Sequence, residues 1–550
     1  MPESITGPGV YVVEQNAFPT TIVPVPTGVP AFIGYTQHAL RDNKPVWGVP
    51  TKISSFSEYR DIFGGPPVTK LTVSPSQHPG KTYELTLTGN HFTLHHQMKL
   101  FFDNGGADCY VVAVNGYGGK DGRLNEVKIA ELSGGLKPLL KETEPTLLVV
   151  PDLMAAVVVR DKHGQVSADS LQEIHALQNE MLAHCAQTRS RFAILDVWMD
   201  RENYQREDYE VSDDISRFRK RLHGRGRDRG AAYYPYLQTT VVPDSDIDVR
   251  HFANPGTAEQ VRDFPAGTFD KAGAIRDREA FRRAYVDVSF DSLTELLDRA
   301  LNEAILDGET RSTDAGPTKN LLREISRVTD DNATGLTQSL SAISPTFRQL
   351  TREVAEQLSL LPPGGALAGI YAMTDASVGV WQAPANVGVA SIVRPAVAIE
   401  DDQQEDMNAP PNGIAVNALR AFPGRGVLVW GARTLDGNSQ DWRYVSVRRT
   451  MDFIEQSVKL GLEAYVFDSN TQVTWTKVKT SIAGFLTELW RAGALAGATP
   501  EDAFDIDVGL GVTMTPVDIL DGYMRVTIKV AVTRPAEFIV LTLEQKMQSS

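Results

Sequence analysis

The chain has 550 residues, 42% of them hydrophobic and 22% charged, and carries a formal net charge of −15. That length allows about three or four domains and a large buried core. The acidic balance disfavours non-specific binding to nucleic acid, and two cysteines, Cys109 and Cys185, are too few for a disulfide framework and sit in no metal-ligand spacing.

Met1-Pro2-Glu3-Ser4 is not followed by a basic and then an apolar segment, and no run of about 18 apolar residues occurs. The expectation is a chain made and folded in the cytoplasm that inserts in no membrane.

Residues 1–30 read as an extended arm. Val10-Tyr11-Val12-Val13 and Ile22–Pro26 are strand-like, and Pro8, Pro19, Pro24, Pro26 and Pro30 punctuate them. Such an arm can satisfy its backbone by adding a strand to another sheet edge. Residues 31–65 and 98–110 read as the N-terminal part of a core. Within them, Ser54–Gly65 predicts a capped short helix ended by glycine. Residues 66–97 read as a small β insertion: Tyr83–Thr88 alternates at period two and Gly89-Asn90 predicts a turn before His91–Leu94.

Residues 111–250 read as an α/β middle domain, with strands over Cys109–Val114, Thr146–Val150 and Phe192–Val197 and a helix over Ser170–Gln187. Residues 251–362 read as a helical or irregular outer insertion, and 363–415 as the return of the middle domain. Residues 416–533 read as a C-terminal α/β core, with helices over Val445–Leu462 and Val473–Leu495 and strands over Asp505–Thr513 and Tyr523–Thr533. Phe538–Leu543 predicts a last strand, within a C-terminal arm over 534–550. The fold class is therefore mixed α/β, in several domains.

No phosphate loop, metalloprotease signature, nucleophile elbow or C-x-x-C pair occurs, so no catalytic, cofactor-binding or metal residues are assigned. His95-His96 reads as two exposed histidines on a strand or loop, a strand placing their rings on opposite faces. Gly509-Leu510-Gly511 lacks the third glycine of a dinucleotide loop. The acidic run Glu400, Asp401, Asp402, Glu405, Asp406 is either a cation site or a solvated loop. The basic run from Arg217 through Arg219, Lys220, Arg221, Arg225 and Arg227 to Arg229 is a phosphate-contacting patch, a salt-bridging patch or a solvated loop.

Several segments resemble the phage tail sheath family, which includes sheaths of extracellular contractile injection systems. They are Gly7–Val12, Val29–Gly34, Phe101–Gly106 with Cys109–Val112, and Ala231–Pro235, then Pro362–Gly365, Ala368–Ala372 and Gly379–Asn386. Asn417–Arg420, Gly426–Thr434 and Arg534–Phe538 complete the series, in the family's order; residues 66–97 and 251–362 match poorly. The resemblance implies a non-enzymatic structural subunit with no cofactor. It would polymerise as stacked sixfold rings around an inner tube and contract to drive that tube through a target envelope. Its partners would be itself, the tube protein, and baseplate and terminal cap proteins, with no nucleic acid. An accessory sheath paralogue near the baseplate is the alternative, and a hydrolase-like enzyme a more distant one. The particle would assemble in the bacterial cytoplasm, as a phage tail or a released contractile particle.

The resemblance also implies strand exchange between subunits. It gives that role to Val10, Tyr11, Val12 and Val13 at one end and to Phe538, Ile539, Val540 and Leu541 at the other. Tube-facing candidates on the two C-terminal helices are Arg448, Arg449, Lys459, Lys477 and Lys479.

Overall fold

The computed structural model describes residues 22–76, 80–88, 91–118, 125–156, 158–160, 166–167 and 170–538. The fold is mixed α/β, as expected. It divides into two compact units, one formed by 28–377 with 383–445 and the other by the chain start up to 27, 378–382 and 446 onward.

The larger unit is organised by one eight-stranded sheet. Its strands in chain order are β1 (Pro30–Thr36), β2 (Thr51–Ile53), β3 (Cys109–Gly116), β4 (Leu147–Val149), β5 (Phe192–Asp196), β6 (Gly230–Tyr234), β7 (Asn417–Phe422) and β8 (Gly426–Trp430). The spatial order is β8-β7-β6-β5-β4-β1-β3-β2. The six inner strands run parallel, and β8 and β2 close the edges antiparallel.

Strands buried on both faces read as continuous apolar runs, and β1, β4, β5 and β6 are buried at every position. Period-two alternation sorts their side chains into two cores. Phe32, Val111, Leu147, Val149, Phe192, Ile194 and Tyr233 enter one. Ala31, Ile33, Val112, Leu148, Ala193, Leu195 and Tyr234 enter the other. Helices Leu94–Asp103 and Gly364–Ser377 cover the first face, and Ser170–Thr188 and Val211–Arg219 the second.

Two buried aspartates at the carboxyl ends of β4 and β5 hold the first helix layer. Asp152 Oδ1 accepts from the Thr93 and Leu94 backbone N–H groups at 2.6 and 3.0 Å and from the Thr93 hydroxyl at 3.1 Å. Its Oδ2 accepts from the Tyr35 N–H at 2.7 Å. Asp196 accepts from the Gly364 N–H at the start of the second helix. Helix N-termini leave unpaired N–H groups and favour negative charge there. The two helices then meet through glycine: a Cβ on Gly365 would lie 2.4 Å from the Gln97 carbonyl oxygen, and one on Gly369 2.4 Å from that of Phe101.

The short capped helix forms over Phe56–Phe63, with the Ser55 hydroxyl accepting from the Glu58 N–H and Gly64 at φ +89° closing it. The β hairpin forms with a different partner from the expected one. Tyr83–Thr88 pairs antiparallel with Lys70–Pro75 upstream, whereas Leu94 already opens a helix because Asp152 holds its N-terminus. Residues 251–362 are largely helical, over Arg278–Tyr285, Leu293–Asp307, Ala315–Glu324, Ala333–Ile343 and Pro345–Leu358. The two poorly matching segments bind each other: Leu71 bridges Phe252, and the Asn254 side chain pairs with both backbone groups of Val73.

The expected segment boundaries move. Residues 31–65, 98–110 and 111–250 are not separable, because β1 to β6 form one sheet. Within 416–533, β7 and β8 also belong to that sheet, and the second unit begins at Ser446. Local patterning identifies a strand, but its sheet is chosen by pairing across hundreds of residues.

Three predictions arise here. Gly369→Val forces two helix backbones apart and should cost about 1–3 kcal/mol. Gly484→Ala, in a helix with open space around it, should be neutral or stabilise by up to about 1 kcal/mol; urea unfolding separates the two. Burial raises the Asp196 pKa to about 7, so the folded state holds that proton more tightly than the unfolded chain does. This stability is complete below about pH 4 and is lost as pH rises to about 7. Asp196→Asn should therefore gain on wild type by on the order of 3 kcal/mol between pH 4 and pH 8, measured as the difference in unfolding free energy at the two pH values.

Candidate assembly surface

The smaller unit is built on helices Val445–Leu462 and Gln472–Arg491. Phe453, Ile454 and Val458 of the first meet Val478, Ile482, Phe485, Leu486 and Leu489 of the second in one apolar cluster. These spacings of three and four residues form one helix face each. The Phe453 and Phe485 rings lie 6.0 Å apart.

A two-stranded antiparallel sheet, β9 (Phe504–Val508) and β10 (Val526–Val530), adds Ile506 and Ile528 to the same cluster. Its other face carries Asp505, Asp507 and Lys529, with Lys529 Nζ at 3.0 Å from Asp505 and 3.2 Å from Asp507. The Lys529 ammonium holds the Asp505 carboxyl below its usual range. Neither strand has a second strand neighbour among the described residues, so each presents an unpaired backbone edge.

Residues 22–27 join this unit. Ile22 is 2% exposed and lies against Gly461, where a Cβ would come within 2.6 Å of it. The Val25 N–H donates to Ser457 Oγ at 3.1 Å, and Arg449 donates to the Thr27 carbonyl oxygen at 3.4 Å. Residues 22–27 therefore run along helix Val445–Leu462, and the arm expected over 1–30 is anchored in its own molecule over that stretch. Val10, Tyr11, Val12 and Val13, and Ile539, Val540 and Leu541, lie outside the described residues. Phe538 is exposed and in no strand.

The tube-facing candidates separate by burial. Arg448 and Arg449 are buried, and Arg448 pairs with buried Asp452 at 2.6 Å; both are corrected from surface to interior. Every position from 445 to 450 is buried, on all sides of the helix, so neither charge nor periodicity marked these arginines as interior. Lys459, Lys477 and Lys479 are exposed. Lys477 and Lys479 flank fully buried Val478, and residues two apart project about 200° from each other on a helix, so the two lysines do not form one patch.

Sequence reasoning missed the exposed apolar side chains of this unit. Leu510, Val512, Val517 and Leu520 are 50–86% exposed, and Phe467, at φ +74°, is fully exposed. Gly509-Leu510-Gly511 carries Leu510, with Gly509 buried and Gly511 exposed, both glycines at positive φ.

The remaining charge features are structural. His95 and His96 sit in helix Leu94–Asp103, both 6% exposed, which overturns the exposed strand or loop expected. Burial lowers their pKa values to about 4 and about 3. The acidic run forms helix Asp401–Asn408, not a loop, with Asp401 paired to Arg420 and Asp406 to Arg219. The basic run is no single patch: Arg219 and Arg229 are buried, and Arg217 binds Asp213 and Asp214. The charged cleft beside it, about 120 Å³, has its aspartates engaged: Asp200 with Arg160, and Asp214 with Tyr209, Tyr234 and Arg217. Among the described residues no cluster of three metal-ligating side chains occurs, and no helix is long and apolar enough to cross a membrane.

Residues 438–546 match the family described as phage tail sheath C-terminal domain. A prophage major tail sheath protein of Pseudomonas aeruginosa is 29% identical over 138 residues, covering 24% of this chain and 34% of that one. The tail sheath protein of Burkholderia phage BcepMu is 31% identical over 148 residues, covering 26% and 30%. The matches thus span about a third of those relatives' own length. Among solved structures, the PVC sheath of an extracellular contractile injection system in its contracted state shares the fold, with TM-score 0.54, 22% identity and coverage of 98% of both chains. A chain of the anti-feeding prophage baseplate in its contracted state does so with TM-score 0.56, 22% identity and coverage of 98% and 99%. Residues 438–546 match the phage tail sheath C-terminal domain, and the chain as a whole shares the fold of these two contractile-system chains.

Proposed function

We propose that the chain is a structural subunit of a contractile sheath. It polymerises as stacked sixfold rings around an inner tube and contracts to drive the tube through a target envelope, acting by lattice rearrangement rather than catalysis. The observation that carries the reading is the C-terminal two-stranded sheet, β9 with β10, whose outer edges lack strand partners among the described residues. Backbone groups on such edges are templates for another chain. Strands from neighbouring copies, around Val10–Val13 and Phe538–Leu541, would complete the sheet. Main-chain pairing of that kind is indifferent to most side chains and can persist while subunits reorient, so a lattice can change without dissociating.

The further partners on this reading are baseplate and terminal cap proteins, with no nucleic acid, and the particle is a phage tail or a released contractile particle assembled in the cytoplasm. The likeness to a baseplate chain of the anti-feeding prophage favours a second reading, an accessory sheath paralogue next to the baseplate. Electron microscopy of the protein expressed alone separates the two: long tubes support the main sheath, and their absence the paralogue.

Deleting residues 1–20 should leave a folded monomer that forms no sheath; normal sheaths from the truncated chain would refute strand donation. Because Lys477 and Lys479 face different directions, reversing each to Glu should have unequal effects on co-sedimentation with the tube protein at low salt, one weakening it severalfold and the other leaving it unchanged. If neither reversal has an effect, this helix does not grip the tube.

A further inference from the structure

Inside the 251–362 segment a lysine is sealed in an aromatic cluster. Lys319, on helix Ala315–Glu324, is 1% exposed, and fully buried lysines are rare. Its Nζ lies 3.8 Å from the Phe264 ring centroid and 5.6 Å from that of Tyr285, and it donates to the Arg262 carbonyl oxygen. Phe264 in turn touches Phe269, Phe281 and Tyr285 at centroid distances of 5.1, 5.6 and 5.2 Å.

Two polar side chains of helix Leu293–Asp307 share this site. Asp298 and Asn302 are one turn apart, hence on one face, and are 6% and 1% exposed. The Asp298 carboxyl touches both nitrogens: Lys319 Nζ is 3.4 Å from its Oδ1, and Asn302 Nδ2 donates to its Oδ2 at 3.2 Å. Asn302 Oδ1 has no hydrogen-bond partner among the described residues, a costly state for a buried acceptor. Burial pushes the Lys319 ammonium down and the Asp298 carboxyl up, each toward its uncharged form. A lysine becomes a nucleophile in that desolvated, neutral form.

We infer that Lys319 and Asn302 join in an intramolecular amide bond, formed with release of ammonia, that ties helix Leu293–Asp307 to helix Ala315–Glu324. Neutral Lys319 Nζ attacks Asn302 Cγ, forming the new C–N bond. Asp298 gives its proton to the departing Nδ2 and takes one from Nζ, ending protonated as it began. The Cγ–Nδ2 bond breaks and the nitrogen leaves as ammonia. No oxidant or cofactor enters the balance, and the aromatic wall keeps water from competing for the carbonyl carbon. The inference is independent of the sheath reading, since it concerns one chain's interior.

Intact-mass spectrometry of the purified full chain tests it. The expected mass is that of the sequence less one ammonia, and trypsin should yield residues 300–311 joined to 312–323, uncleaved after Lys319. The sequence mass with the two peptides separate overturns the inference. So does loss of one water with Asp298 as the joined residue. Lys319→Arg replaces the amine with a guanidinium that cannot act as the nucleophile, and Asp298→Asn removes the proton carrier; each should give its own unreduced sequence mass and separate peptides. A joined Asp298→Asn chain would overturn the role of the carboxyl.

Discussion

A carboxylate with no exposure, Asp152, is the contact on which the larger unit depends. It collects four donors from two elements distant in sequence: the end of β1 through the Tyr35 N–H, and the start of helix Leu94–Asp103 through Thr93 and Leu94. A charge is expensive to remove from water unless its hydrogen bonds replace the solvent. Here burial raises its pKa while the N–H groups of Tyr35, Thr93 and Leu94 oppose the rise. Once that helix is set, the glycines at 365 and 369 allow helix Gly364–Ser377 to lie directly on it, and Asp196 caps the second helix as Asp152 caps the first. Two carboxylates and two missing side chains thus position the whole layer over the parallel sheet.

The smaller unit is arranged on an opposite principle. Its interior is a single stripe between two helices and one face of a two-stranded sheet, and two strands alone are marginal in water. Unmet groups are gathered at its surface, as strand edges and large apolar side chains. An element that is incomplete by itself offers a driving force for joining a neighbouring chain. The internal anchoring of residues 22–27 along helix Val445–Leu462 sets the point from which any preceding strand must depart.

The 66–97 and 251–362 segments show how inserted sequence is stabilised. Among the described residues they have no strand in the main sheet; they bind each other through backbone groups of Leu71 and Val73, and the second builds its own aromatic core around a lysine.

Elements with strong local signals were legible from sequence. The period of Val445–Leu462, the β-rich runs at Cys109 and Phe192, the capped turn at Ser55 and Gly64, and the family's series of short segments all depend on residues close together in the chain. The misread features were those decided elsewhere. His95 and His96 are helical and buried because Asp152, 57 and 56 positions downstream, starts that helix. The partner of Tyr83–Thr88 lies upstream because Leu71 and Val73 had a core to enter. Arg448 looked like a surface charge until its pairing with Asp452 placed it inside. The amino-acid order by itself determined the α/β class, the helix and strand periods and the kinship of the C-terminal region, since these follow from side-chain spacing and local backbone preference. Only the tertiary structure decided which strands share a sheet, where the two units divide and which charges are buried, because those depend on contacts whose free energy exists only once distant segments have met.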